Sequence, residues 1–362
     1  MGKNSTTLVV SDFHLGAGPT LPDGSSNFLE DFFHDPKLVQ FLDHYSTGAN
    51  AKREVALVVN GDFFNHLQVF PDESKPELLT VTVALKRTQA IVDGHKSVFD
   101  ALSRFAAAPN HSITFMIGNH DLGLFWPKVQ DYIHQVVGQN VKIHTASVYL
   151  KDGIWIEHGN QQVAENRLDY EHPFVTMGVE KPLVKLPWGD FFVLRFLNRM
   201  KRDRPYVDKV YPFRLYLRWA LIHDTWFAIK ASFAGLKYFL QVLLGIGDNK
   251  QLGRKQFLKI IKEFSFPVRM DLAAKRIFAL HPEVKVVVFG HGHRAASVLF
   301  AGGKQYFNTG IWNEMISLDL GTMGRMLRLT FVEIGRDKQG MPIGRLMEWK
   351  GVQKEVEEVE AV

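Results

Sequence analysis

The sequence predicts a layered α/β fold with its functional groups gathered at one rim. Three observations carry this expectation. Short apolar runs rich in β-branched and aromatic residues recur along the chain. Stretches of helical spacing lie between them, and several runs stop at glycine beside Asp, Asn or His. Runs that are apolar without alternation read as strands covered on both faces, as in layered α/β domains. Ligand sites in such sheets lie beyond the carboxyl ends of the strands.

Taken in order, the strand candidates are "TLVVSD", "VALVVNGD", "ITFMIGN", "GIWIEHGN", "VKVVVFGHGH", "QYFNTG" and "MLRLTFVEI". Leu78 to Phe105 has helical spacing, and no repeat of fixed period is present. Five strand ends carry chemistry: Asp12 with His14, Gly61 with Asp62, Gly118 with Asn119 and His120, His158 with Gly159, and Gly290 with His291 and His293. Glycine lets the backbone turn sharply and a ligand come close.

The chain of 362 residues is long enough for one large domain with an insertion. Its 46% hydrophobic and 22% charged residues are ordinary for a soluble globular protein. With no cysteine, disulfides and thiolate metal sites are excluded, so any metal needs His, Asp, Glu or Asn. "MGKNSTTLVVSD" has no apolar signal core, and Gly2 alone is too weak a myristoylation signal. The expected location is cytoplasmic, with peripheral contact at the inner face of the membrane as an extension.

Net charge is +5 and unevenly spread: Glu165 to Arg276 holds 21 Lys+Arg against 11 Asp+Glu, while the remainder holds 22 against 27. A basic block of this kind faces something anionic.

The rim groups Asp12, His14, Asp62, Asn119, His158, His291 and His293 are two carboxylates, one amide and four imidazoles. Such hard and borderline donors suit Mn²⁺, Fe or Zn²⁺, with Mn favoured. Residues two apart in an extended segment point the same way, which pairs Asp12 with His14 and His291 with His293. Seven donors fit two ions sharing a bridging carboxylate. Two-metal sites with ions roughly 3.5–4 Å apart stabilise the attacking and leaving oxygens of displacement at phosphorus.

"SDFHLG", "NGDFFN", "IGNHD", "EHGN" and "FGHGHR" resemble, in order, the five blocks of the calcineurin-like metallophosphoesterases, and "YFNTGIW" resembles the segment that follows them. The likeness covers roughly residues 6–160 and 284–334. It implies a four-layer α/β/β/α sandwich and a metal-dependent phosphoric ester hydrolase. Asp12, His14, Asp62 and His293 would hold one ion. Asp62 would bridge, with Asn119, His158 and His291 holding the second. A hydroxide held by the metals would attack phosphorus, His120 would face the leaving oxygen, and Asp121 would brace the loop. The chain departs from the family at Asn65, where many members have Asp; an amide can hydrogen-bond His120 but cannot stabilise an imidazolium by charge. Asn65 and Arg294 are weak substrate-binding candidates. Glu157 and Asn160 read as supports of their neighbours rather than ligands, and His66, His95, His172 and His223 as structural.

The resulting division is a core in two parts, 1–164 and 281–350, a basic and aromatic helical insertion over 165–280, and an acidic tail over 351–362 expected to be disordered. Helices are expected around 206–222 and 224–244 of the insertion. No stretch reaches the ~20 apolar residues of a membrane span. The segment 195–247 could instead line a lid, lie on a membrane surface, or pack as a plain subdomain. A lipid-linked substrate is favoured, in distant likeness to UDP-2,3-diacylglucosamine hydrolases, although those carry Arg where this chain has His120. A nuclease is the alternative, not favoured because the cations alternate with bulky apolar residues. A non-catalytic membrane-associated metal-binding module is the alternative of another class.

Overall fold

The computed structural model describes residues 5–70, 75–243, 268–319, 323–351 and 357–358. The strands are β1 (Ser5–Val10), β2 (Glu54–Asn60), β3 (His111–Met116), β4 (Val141–His144), β5 (Val148–Lys151), β6 (Ile154–Glu157), β7 (Val286–Phe289), β8 (Ala296–Phe300), β9 (Lys304–Asn308), β10 (Thr330–Arg336) and β11 (Pro342–Glu348). The helices are α1 (Asp35–Ser46), α2 (Val81–Gly94), α3 (Lys96–Ala107), α4 (Pro127–Val137), α5 (Trp188–Phe192), α6 (Asn198–Asp203), α7 (Phe213–His223), α8 (Thr225–Leu243) and α9 (Met270–Leu280).

Strands alternate their side chains between two faces, and here both faces are apolar. In β1, Val9 points into the space between two sheets while Leu8 and Val10 point into the core beneath α1 to α4. In β7, Val286 and Val288 face the other sheet, and Val287 and Phe289 pack against Ala273, Ile277 and Phe278 of α9. The layers are therefore α/β/β/α, as the resemblance implied.

One sheet runs β11-β10-β1-β2-β3-β4, with β1 to β4 parallel and β10 and β11 antiparallel. The other runs β8-β9-β7-β6-β5, with β6, β7 and β9 parallel. Five of the parallel strands, β1, β2, β3, β6 and β7, end at the same rim, so the topology gathers the five motif loops.

The expected helix over Leu78–Phe105 is two helices. Gly94, at the break, lies against the Ala17–Gly18 backbone, where an added Cβ would meet the Ala17 carbonyl carbon at 2.4 Å. The helix expected over 206–222 starts at Phe213, because Val210–Tyr211 form a short strand beside Ile316 and Ser317 and Pro212 ends it. Its successor is α8, helical from Thr225 as far as the described residues run, to Leu243. Within 165–280, Leu168 and Val184 join the main core and α9 covers the second sheet. Glu357 and Glu358, in the tail expected to be disordered, pair with Glu348 and Met347 at the sheet edge. The rest of that expectation falls on 352–356 and 359–362, and part of the insertion on 244–267, outside the described residues.

Candidate metal centre

Four of the five motif loops turn back through left-handed backbone; the loop of Gly118 to Asp121 does not. Among the described residues seven non-glycine residues have positive φ, and five of them are Asp12, His14, Asp62, His291 and His293, at +52 to +61°. Such conformations cost on the order of 1–3 kcal/mol each and persist where the surroundings impose them. The paired residues are thus not in extended segments, as the two-residue spacing suggested; successive left-handed turns bring both side chains inward.

The surroundings are hydrogen bonds between loops. The His14 amide donates to the Asp62 carbonyl at 2.9 Å, and the Asn65 amide to the Leu15 carbonyl at 2.8 Å. Asp121 accepts from the Phe64 and Gly118 amides at 2.8 Å and from the Asp62 amide, bracing two loops at once. The glycines are needed for space: a Cβ on Gly118 would stand 2.2 Å from Asp62 Oδ1, and one on Gly61 2.5 Å from His158 Nδ1.

The ligand-type atoms fall into three overlapping groups, Asp12–His14–His293, His14–Asp62–His120 and Asp62–His158–His291, each within 4.8 Å. Asp62 is shared between the two ends of the site. His14 Nε2 lies 3.2 Å from His293 Nε2, and His158 Nε2 lies 3.1 Å from Asp62 Oδ2 without hydrogen-bonding geometry. Asn119 Oδ1 and His158 Nε2 are buried with no hydrogen-bond partner. Buried polar atoms without partners are rare and ask for a ligand. The donors therefore fit divalent cations.

Electrostatics agree with this. Burial pushes His14 and His291 down to about 3, leaving neutral imidazoles with a lone pair to offer. Burial opposes charge on His158 as well, but the Asp62 carboxylate outweighs it and holds that ring up at about 10. His158 Nδ1 hydrogen-bonds the Asn60 carbonyl at 2.8 Å. The remaining proton, on Nε2, is the one a cation would replace.

His120 is only partly buried and borders a cavity of about 120 Å³ together with His14 and His293. Its Nδ1 donates to Asn65 Oδ1 at 2.9 Å. The Asn65 amide donates to Gln68, whose own amide donates to Asn198 of α6 at 3.1 Å. A neutral amide chain thus ties the ring to the insertion. His120 also stands within ligand reach of His14 and Asp62, although the resemblance gave it no ligand role.

The cavity's other walls are Val193, Leu197, Ile311 and Met315, with the polar Asp31, Gln68, Asp208, Lys209 and Asn313. Behind them Lys201, 0% exposed, is held by Asp31 at 2.7 Å and Asp208 at 2.8 Å, fastening α6 to the loop after β1. Arg294 lies apart from the cavity lining, stacked on Tyr211 with a 2.8 Å bond to its hydroxyl.

Glu157 accepts from Trp155 and Gln162, and Asn160 bonds the Asn166 carbonyl and the Tyr170 hydroxyl, so neither is among the ligand-type groups. His66 is fixed by Thr88 and the Gly123 amide, and His95 by Asp35 and Glu30; His172 and His223 are exposed. Sequence reasoning missed Ser11, which donates to Asp12, and Asn166, whose amide lies 3.2 Å from His291 Nε2. It also missed Asp190, fully buried with both carboxylate oxygens lacking hydrogen-bond partners. Only Ser11, inside a motif, carried any signal.

No family model matches the chain. No curated protein matches it either. Among solved structures it is similar to a protein from Streptococcus pneumoniae described as a predicted phosphoesterase, at 11% identity and TM-score 0.31, covering 99% of this chain and 98% of that one. It is also similar to Vps29 complexed with zinc from Entamoeba histolytica, at 10% identity and TM-score 0.32 over 98% of each chain. A third is a dimetal phosphatase from Danio rerio, at 11% identity and TM-score 0.37 over 100% of each chain. At these identities and TM-scores the likeness decides nothing about activity.

Proposed function

We propose that the chain is a divalent-metal-dependent phosphoric ester hydrolase of the calcineurin-like metallophosphoesterase type. The observation that supports this best is the convergence of Asp12, His14, Asp62, His158, His291 and His293 in overlapping ligand-type groups, with Asn119 Oδ1 and His158 Nε2 buried and lacking hydrogen-bond partners. Asp12, His14, Asp62 and His293 would hold one ion, and Asp62, Asn119, His158 and His291 the other. Bound ions supply Lewis-acid charge neutralisation and lower the pKa of water. The absence of cysteine and the N/O donor set favour Mn²⁺, with Fe or Zn²⁺ as substitutes.

The chain's own part is orientation. His120 keeps its Nδ1 proton on Asn65, so Nε2 is the nitrogen that meets the substrate; it has a proton for the leaving oxygen only when the ring carries both, a state that burial disfavours and the Asp62 carboxylate favours. The apolar walls Val193, Leu197, Ile311 and Met315 favour an amphiphilic or lipid-linked phosphate ester or pyrophosphate. A nucleic-acid substrate is disfavoured: Lys201, Arg204, Lys209 and Lys230 of the insertion are paired with acids of the chain itself.

Hydrolysis of bis-p-nitrophenyl phosphate with added Mn²⁺, by the wild type and by Asp62→Asn, tests the reading. The wild type should turn over and the variant should not. Equal rates would leave a non-catalytic metal-binding module as the better description.

A further inference from the structure

Helices α7 and α8 bury one side on a common cluster: Tyr216 and Ala220 from α7, and Phe227, Ala228 and Ala231 from α8, packed with Met200, Val207 and Val210. Their opposite sides therefore face outward together. Those sides are apolar. Trp219, Ile222, Trp226, Ile229, Phe233 and Leu236 recur three or four residues apart, with Ile222 74%, Trp226 79% and Phe233 72% exposed. Scattered exposed apolar residues are ordinary, but a contiguous stripe marks an interaction surface.

Charge says what the surface meets. From Phe213 to Leu243 the cations are Arg214, Arg218, Lys230 and Lys237, and the one acid, Asp224, is bonded to Arg204. Arg218 and Lys237 are exposed beside the apolar stripe, while Lys230 is paired with Asp203. Bulky apolar and tryptophan side chains flanked by cations match the boundary of an anionic bilayer, where rings and chains enter below the headgroups and cations meet phosphates. No helix among the described residues is long and apolar enough to cross a membrane, so the fit is to its surface.

We infer that the outward face of α7 and α8 docks on an anionic lipid surface. The inference stands apart from the hydrolase reading. The same module, through Leu197, also walls the cavity beside His120, so docking would bring the cavity to the bilayer.

The test is flotation of the full chain with phosphatidylcholine vesicles, with and without phosphatidylglycerol, at low and high salt. Binding should need the anionic lipid and fall with salt. Lys237→Ala should weaken it about fivefold, and Trp226→Ser with Phe233→Ser should abolish it. Turnover of a small soluble phosphodiester and the circular dichroism spectrum should be unchanged in both variants. Two results would overturn the inference. One is no flotation together with a dimer that Phe233→Ser dissociates, meaning a second copy covers the face. The other is no flotation by a monomer.

Discussion

The His120 ring is held by an amide: its Nδ1 donates to Asn65 Oδ1 at 2.9 Å, where a carboxylate would have stabilised a charged ring. The contact fixes orientation and leaves charge to other groups. Asn65→Leu should lower kcat by about 10²-fold through misplacement of the ring, with metal content unchanged. Asn65→Asp should keep the orientation and favour the protonated ring, carrying activity to higher pH. Metal analysis beside a pH–rate profile separates the two effects.

Asp62 is shared by two ligand groups, and Asn119 Oδ1 is buried without a hydrogen-bond partner. Asp62→Asn should lose both ions and Asn119→Leu one, while His120→Ala keeps both and loses turnover, most of all for poor leaving groups. Loss of metal from His120→Ala would make the ring a ligand. Stoichiometry by plasma mass spectrometry reads all three.

Gly290 admits no side chain: a Cβ would stand 2.4 Å from Ser11 Oγ and 2.6 Å from Asp12 Oδ2. Gly290→Ala should displace Asp12, cost about 1–3 kcal/mol in denaturant unfolding, and weaken metal binding. Gly335→Ala, with open space around it and, like Gly290, no left-handed backbone, is the control for an added methyl without the clash.

His95 makes stability depend on pH. Burial disfavours its charge, but Asp35 and Glu30 outweigh burial and raise it from 6.5 to about 9. Because the folded value is raised, the contribution is complete below pH 6.5 and is lost as pH rises through about 9. Its size is on the order of 3 kcal/mol. Glu30 also holds the Gly16 and Gly18 amides, so this bracing reaches the loop that carries His14. Urea midpoints between neutral and alkaline pH should decline in the wild type and stay flatter in His95→Gln.

The Asp and His groups that gather at the rim were legible because each follows a buried strand, where an apolar run stops and a polar group follows at once. The layers were legible for the same reason, since β1 and β7 are apolar on both faces. What escaped was non-local. Nothing near Lys201 in sequence announces Asp31, 170 residues earlier, and nothing near Asn166 announces His291. The break at Gly94 depends on the backbone of Ala17 and Gly18, which helical periodicity does not register. The left-handed turns at Asp12 and His14 were hidden because spacing reports direction along an extended chain and not its curl.

Lys201 has a consequence for access. A roof pinned to its floor by a buried ammonium between Asp31 and Asp208 resists swinging like a flap, since lifting α6 would part Lys201 from Asp31 and break a buried ion pair. Molecules that reach the cavity then meet an aperture whose outline is largely set before they arrive.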